Sequence, residues 1–321
     1  MTMLDGIAKD KLLFVALVFV ALALYPLLAG KYGIDLVTKI MILAIFALSL
    51  ELLVGGTGLV CFGQAAFFGI GAYTAVKLSP EADAASVFWL LPASVLLAAL
   101  YALAVGALSL RTKGVYFIMV TLAFAQMAYY MVHDTPLGGG TDGIYLNVKP
   151  SVLGAIDLDK PLVFYAFTLA WLAIVFVFLA VLLRSRFGRA LAGIRVNEHR
   201  MRAIGFPVAH YQLGVYVLAG TIAGLAGYFA ALQFGFVNPE IASWHQSGAV
   251  LMMVILGGMG TLHGPILGAF AFILMQEAMS NQALFGAAAK HWQRAMGLFI
   301  IGVALLLPKG LAGLLARREG R

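Results

Sequence analysis

Few side chains in this sequence have the means to do chemistry, and most of those sit in apolar surroundings. Residues 58–73, GLVCFGQAAFFGIGAY, set Gln64, Phe67 and Tyr73 among small and aliphatic neighbours. A buried amide or phenol must find a hydrogen-bond partner, and that partner is either another helix or a passing solute. The glycines of the same stretch allow close helix packing and also permit a bend. A second cluster at 256–269, LGGMGTLHGPILGA, repeats the GGxG of positions 55–58. Paired interruptions of apolar segments in the two halves of a chain point to a central pathway built from broken helices. His263 and Pro265 stand at a turn between two apolar runs, a position that suits a turn residue better than a proton relay. Lys39, Glu51 and Glu277 fall near the ends of apolar runs, where snorkelling or capping accounts for them. No acidic group is placed at mid-run, as an ion-coupled carrier would need.

A different chemistry is written into residues 188–207, GRALAGIRVNEHRMRAIGFP. Leu191, Ile194, Met201 and Ile204 recur at helical spacing, with arginines on the other faces. Asn197 is expected to cap a short second helix, Gly205 to end it, and Pro207 to forbid continuation. Such an amphipathic segment either lies on anionic membrane lipid or docks into a cytoplasmic partner, and the interruption of its basic face by Asn, Glu and apolar residues favours docking. No GxxxxGK[ST] phosphate loop and no hydrolase or kinase motif is present, so the chain reads as no enzyme, and any energy source belongs to another chain. The single cysteine, Cys61, excludes an internal disulfide, and zinc-like Cys/His spacings are absent.

These groups are carried by a chain of 321 residues that is 63% hydrophobic and 11% charged, a composition that predicts an all-α integral membrane protein formed as a single domain over 1–321. The net charge of +7 is no sign of nucleic-acid binding, because six arginines lie in one inter-span segment, 184–210. Ten apolar runs are long enough or nearly long enough to cross a bilayer: 12–30, 36–54, 58–76, 87–110, 114–132, 161–183, 211–233, 247–259, 262–279 and 295–308. The first follows Lys9 and Lys11, as a secretory signal would, but its length and the neighbouring Asp5 and Asp10 favour a retained helix. The eighth is too short to span alone and is expected to pair with the ninth as a broken, partly re-entrant element. Basic residues assign the sides. Arg111 and Lys113, segment 184–210, and the tail with Arg317, Arg318 and Arg321 all fall on one side, which is cytoplasmic by that rule. Glu81, Asp83 and the aspartate-rich connection 133–160 fall on the other. Both termini are therefore expected in the cytoplasm.

GLVCFGQAAFFGIGAYTA, SLRTKGVYFIMVTLAFAQM, TDGI, FGRALAGIRVNEHRMRAIG and FVNPEIASWHQSGAVLMMVILGGMGTLHGPILGA, in that order, resemble the LivM-like permease subunit of bacterial branched-chain amino acid ABC importers over roughly 36–308. The resemblance implies the ABC-importer permease fold, placed in the bacterial cytoplasmic (inner) membrane. It implies a LivH-like second permease, two cytoplasmic ABC ATPases and a periplasmic or lipid-anchored solute-binding protein as partners. No cofactor is expected in this chain, ATP and Mg being bound by the partner ATPase. By the same resemblance the segment around 188–205 is the coupling helix, with Arg189, Ala190, Arg195, Glu198 and Gly205 as coupling positions, and Gln64, Phe67 and Tyr73 are translocation-pathway candidates. Two departures stand out. Cys61 occupies a position where relatives commonly have serine. Arg200 and Arg202 replace small or acidic residues and would call for acidic or carbonyl partners on an ATPase groove. Two alternatives share the composition: a urea or short-amide permease of the same fold, and a stand-alone ion-coupled secondary transporter. A non-transporting scaffold fits the interrupted spans poorly.

Overall fold

A computed structural model describes residues 9–80, 85–152, 156–281, 286–307 and 310–313. Glu81, Asp83, Asp5 and the basic tail with Arg317, Arg318 and Arg321 lie outside the described residues. The chain is a helical bundle: α1 (Lys9–Leu28), α2 (Lys31–Thr57), α3 (Gln64–Lys77), α4 (Val87–Ser109), α5 (Val115–His133), α6 (Pro161–Arg184), α7 (Arg186–Val196), α8 (Glu198–Ala203), α9 (Val208–Phe234), α10 (Trp244–Gly257), α11 (Gly264–Ser280) and α12 (Trp292–Leu306). A helix occupies each of the ten predicted runs. Five of them, α2, α4, α5, α6 and α9, are long and apolar enough to cross a membrane. Integral, multi-pass membrane insertion follows, because lipid offers no partner to a backbone and only helices with internal hydrogen bonds satisfy it.

The bundle is layered. α2 and α9 form its centre, with 94% and 83% of their most apolar windows buried, whereas α4, α5 and α6 bury a third or less and turn apolar side chains outward. Leu96, Leu100 and Leu103 of α4 and Ile174, Val177 and Val181 of α6 are exposed in this way, as residues facing hydrocarbon must be. Apolar burial does not drive association inside a membrane, so close backbone approach has to. The α3–α9 crossing shows it. A Cβ on Gly71 would overlap the Gly224 backbone, and one on Gly227 would overlap the Phe68 carbonyl. The glycines of α3 are thus packing residues.

Two of the helices in the apolar runs are too short to span and are led in by irregular chain. Residues 58–63 precede α3 in non-helical conformation, and the run of α10 is approached by a two-residue strand, 236–237, and a 3-10 turn, Pro239–Ala242. Hydropathy alone places 58–63 inside a span, because extended and helical apolar chain read alike. α3 and α10 have 14 residues each. That is about 21 Å of helix, against about 30 Å of hydrocarbon.

The connections separate to two ends. At one end, Lys113 of the α4–α5 turn pairs with Glu198 of α8 at 2.8 Å, Arg195 of α7 donates to the Gly55 carbonyl at 2.5 Å, and the Leu311 N–H reaches the Leu256 carbonyl at 2.9 Å. At the other end, residues 144–145 pair antiparallel with 236–237, and Ser86 bridges Ser151. The grouping agrees with the division of loops that the basic residues suggest.

Candidate functional site

Two regions hold the residues that the sequence singles out. The first lies within the bundle, where the half-helices α3 and α10 begin beside one another. The Ala65 N–H donates to Ser247 Oγ at 2.9 Å, so the N-termini of two helices running in opposite directions meet. A 3-10 turn ends at Ala242, whose side chain packs against Gly69 one turn further along α3. Gln64 is completely buried there, and its Nε2 donates to Ser49 Oγ at 2.8 Å and to the Ala219 carbonyl at 3.2 Å. Ser49 lies eight residues before the end of α2, which puts Gln64 about 12 Å inside that end. The extended chain entering α3 is held by α5 and α9. The Phe62 N–H reaches Thr121 Oγ1 at 3.4 Å, and Cys61 Sγ lies 3.7 Å from Tyr216 Oη and accepts the Gly63 N–H at 3.3 Å. A Cβ on Gly63 would stand 2.9 Å from the Thr121 carbonyl, so glycine is needed at the break.

The sequence candidates take distinct places in this region. Gln64 is bound to two other helices through its nitrogen, while its Oε1 has no hydrogen-bond partner among the described residues. Phe67 is fully buried, with its ring edge-on to Tyr101 and Tyr216 at 5.9 and 5.6 Å. Tyr73 is buried towards the other end of α3 with its hydroxyl unpartnered. The structure therefore brings Gln64 and Phe67 together and leaves Tyr73 apart, two turns away. Ser49, Thr121, Ser247 and Tyr216 complete the polar lining. Sequence reading missed them because single hydroxyls in apolar helices carry no local signal. What the place can do chemically follows from its two helix N-termini, whose N–H groups and partial positive charge suit a carboxylate or another strongly accepting group, while Gln64, with its nitrogen engaged, leaves only an acceptor, Oε1, open.

The second region is the platform formed by α7 and α8. Ser185 caps α7 by accepting the Gly188 N–H at 3.3 Å. Asn197 caps α8 by accepting the Arg200 N–H at 2.9 Å, and Gly205, at φ +89°, closes it, as the sequence predicts. Of the coupling candidates, Ala190 is buried with Leu191 and Ile194 against the bundle, and Arg189 and Gly205 are exposed. Glu198 receives both Lys113 at 2.8 Å and Arg202 at 2.6 Å. Arg202 thus has an acidic partner in its own chain and does not require one from elsewhere. The expectation of one continuous apolar face is only half met. Met201 is half-buried and Ile204 is 63% exposed, because the extended Asn197, at φ −158°, separates the two helices and breaks the periodicity between them. Val196 at 78% exposure and Ile204 are uncovered apolar residues on a platform where Arg189, His199 and Arg200 are also exposed.

Of the remaining singled-out charges, Lys39 lies half-buried on α2, and Glu51 and Glu277 have partners. Glu51 is buried on α2 and accepts the Gly260 N–H at 2.6 Å, which makes it a cap for the turn between α10 and α11. Glu277 accepts the Tyr32 hydroxyl at the opposite end of α2. His263 and Pro265 sit at the start of α11, in the turn. Among the described residues, no group of three or more His, Cys, Asp or Glu side chains is arranged to hold a metal ion.

Comparison with known proteins bears on this arrangement. A family model described as "Branched-chain amino acid transport system / permease component" matches residues 32–307. The high-affinity branched-chain amino acid transport system permease protein LivM of Escherichia coli (strain K12) is 31% identical over 303 residues, covering 87% of this chain and 71% of the relative, and LivM of Salmonella typhimurium matches with the same identity and coverage. The autoinducer 2 import system permease protein LsrC of Klebsiella pneumoniae is 30% identical over 186 residues, 56% of this chain and 52% of the relative. No solved structure matches the chain. The matched region takes in α2 to α12 entire save the first residue of α2, including both half-helices and the α7–α8 platform, and the chain accordingly belongs to the permease-component family of branched-chain amino acid transport systems.

Proposed function

We propose that this chain is one permease half of an ATP-driven importer for branched-chain, apolar amino acids. One observation carries the reading. The α7–α8 platform leaves the apolar side chains of Val196 and Ile204 uncovered among exposed basic residues, and it is bonded directly to the bundle beneath through Arg195 and Gly55 and through Glu198 and Lys113. A surface of this kind is suited to take up the motion of a partner and pass it inwards. With no phosphate loop in the chain, that partner is an ATPase, which binds ATP and Mg itself. In this role Arg189 supplies charge at the docking face, Arg195 ties α7 to the end of α2, Ala190 seats α7 on the bundle, and Glu198 and Gly205 fix the shape of α8.

The end bearing the platform faces the cytoplasm in this reading, supported by the basic residues gathered there. A second permease covers the outward face of α5, where Met119, Met127 and Tyr130 are exposed, so that the pathway runs between two such halves. A binding protein delivers the solute to the opposite end. The paired half-helix starts are the place where a solute carboxylate would be met as the halves alternate between outward- and inward-open states, with Gln64 bracing α3 against α2 and α9 beside the pathway, Phe67 setting an apolar wall and Tyr73 lying nearer the outer mouth. The likeness to LivM supports the solute class, and the likeness to LsrC shows that related frames are named for a different cargo.

The test is uptake of labelled leucine into cells carrying the complete system, with unlabelled leucine or urea as competitor. Competition by leucine, loss on ATP depletion and persistence with a proton uncoupler are expected. Competition by urea alone would replace the solute class, and loss with the uncoupler at normal ATP levels would replace the ATPase-driven reading by that of an ion-coupled carrier.

A further inference from the structure

The two GGxG segments lie about 200 residues apart in sequence, yet both meet Arg195. Its Nη1 donates to the Gly55 carbonyl at 2.5 Å, and its Cγ lies 3.7 Å from where a Cβ of Gly58 would stand. Across the same side chain, the position of a Gly260 Cβ is 3.6 Å from Nη1. Gly58 and Gly260 have φ of +77° and +87°, conformations in which other residues are strained, so neither segment readily admits a side chain that would push the arginine away. One residue of the platform therefore touches the end of α2, which leads into half-helix α3, and the end of half-helix α10.

Glu51 joins the same place from beneath. It is 1% exposed, its Oε1 accepts the Gly260 N–H at 2.6 Å, and its Oε2 has no hydrogen-bond partner among the described residues. A buried carboxylate so incompletely bonded is costly unless an opposite charge acts on it. The cation at this place is Arg195, which lies against the same Gly260 that Glu51 holds.

We infer that Glu51 is a positioning residue for transport, which with Arg195 clamps the α10–α11 turn to α2 and to the platform, so that the chain leading into α3 and the end of α10 are moved as one unit. The inference rests on the importer reading, and it gives the GGxG repeat a purpose: two turns shaped to grip one arginine.

The experiment uses the complete complex in proteoliposomes, with uptake per ATP hydrolysed as the readout. Glu51→Ala and Arg195→Ala should each lower uptake per ATP by roughly 2- to 30-fold, the range over which residues that couple distant sites act. The double variant should be no worse than the more severe single one, since both remove one clamp. Glu51→Gln preserves volume and an acceptor for Gly260 while removing the charge, so it is the variant to rely on if Glu51→Ala does not assemble, and it should also lower the ratio. Spin labels at Val196 and Met259, both exposed, supply a structural readout: their separation should stay constant through the ATP cycle in the parent and broaden in Glu51→Gln. An unchanged ratio and unchanged label distances in Glu51→Gln, or losses that multiply in the double variant, would overturn the clamp. Absence of ATP-driven uptake in the parent complex would instead overturn the importer reading itself.

Discussion

Replacing Gly71 by alanine adds one methyl group at the α3–α9 crossing, and its cost can be worked out from the geometry. A Cβ there would stand 2.7 Å from Gly224 Cα and closer still to the Gly224 carbonyl, where ordinary contact begins at 3.4 Å. The obstacle is backbone, so no rotamer change relieves it, and clearing the Gly224 oxygen, 2.1 Å away, takes a retreat of about 1.3 Å along the most extensive interface of the bundle. Overpacking of this kind costs ~1–3 kcal/mol and occasionally more. At ~2–4 °C per kcal/mol for 150–250 residues, and less for the 321 of this chain, a drop in melting temperature of roughly 2–12 °C at most is expected. The assay is thermal unfolding of the purified protein in detergent, followed by intrinsic fluorescence, with Gly248→Ala as control. Gly248 lies within α10 with nothing within 4 Å of an added Cβ, so alanine should be neutral or stabilising there by up to ~1 kcal/mol. Equal melting temperatures for the two variants would refute the claim that backbone contact between α3 and α9 holds the bundle together.

Other outcomes follow from the same coordinates. Gln64→Leu removes the donors to Ser49 and Ala219 and should lower stability by ~1–3 kcal/mol, and leucine uptake should fall further than the unfolded fraction explains; uptake that merely tracks the amount of folded protein would confine Gln64 to packing. Glu198→Lys breaks exposed pairs with Lys113 and Arg202, so stability should change by less than ~1 kcal/mol while ATP-driven uptake is lost, and normal uptake by the inserted variant would remove Glu198 from coupling. Cys61 is fully buried, so a membrane-permeant maleimide should leave it unlabelled in the folded protein and label it after denaturation in SDS, as read by mass spectrometry; rapid labelling of the folded form would mean that the chain around 58–63 opens.

How much of this was legible depended on distance along the chain. The capping of α8 by Asn197 and its closure at Gly205 could be foreseen, because an N-cap and a left-handed C-terminal residue act within four positions of themselves. The ten apolar runs were equally visible. The shortness of the α10 run was visible too, because apolar residues 247–259 cannot cross a bilayer as helix, but the late start of α3 was not, since residues 58–63 are as apolar as helix and only the Thr121, Cys61 and Ser247 contacts reveal where helix begins. Glu51 was read as a capping or snorkelling residue near a helix end. That it caps a turn 209 residues away, under an arginine of the platform, is a fact of tertiary packing with no local trace. Ile204 shows the opposite case: a helical period that continues through Asn197 on paper but not in space.

The burial of α2 also sets a schedule. This helix lies near the N-terminus, but much of its cover is α9, which begins about 150 residues after α2 ends. At ~5–20 residues per second, the ribosome needs roughly 8–30 s to deliver that cover. Throughout this interval Glu51 and Gln64 face lipid or the insertion machinery without their final partners on α9 and the α10–α11 turn. The nascent chain is therefore most exposed to quality-control proteolysis after α2 and before α9, and a ribosomal pause placed between them should lower the yield of intact protein more than one placed after α11.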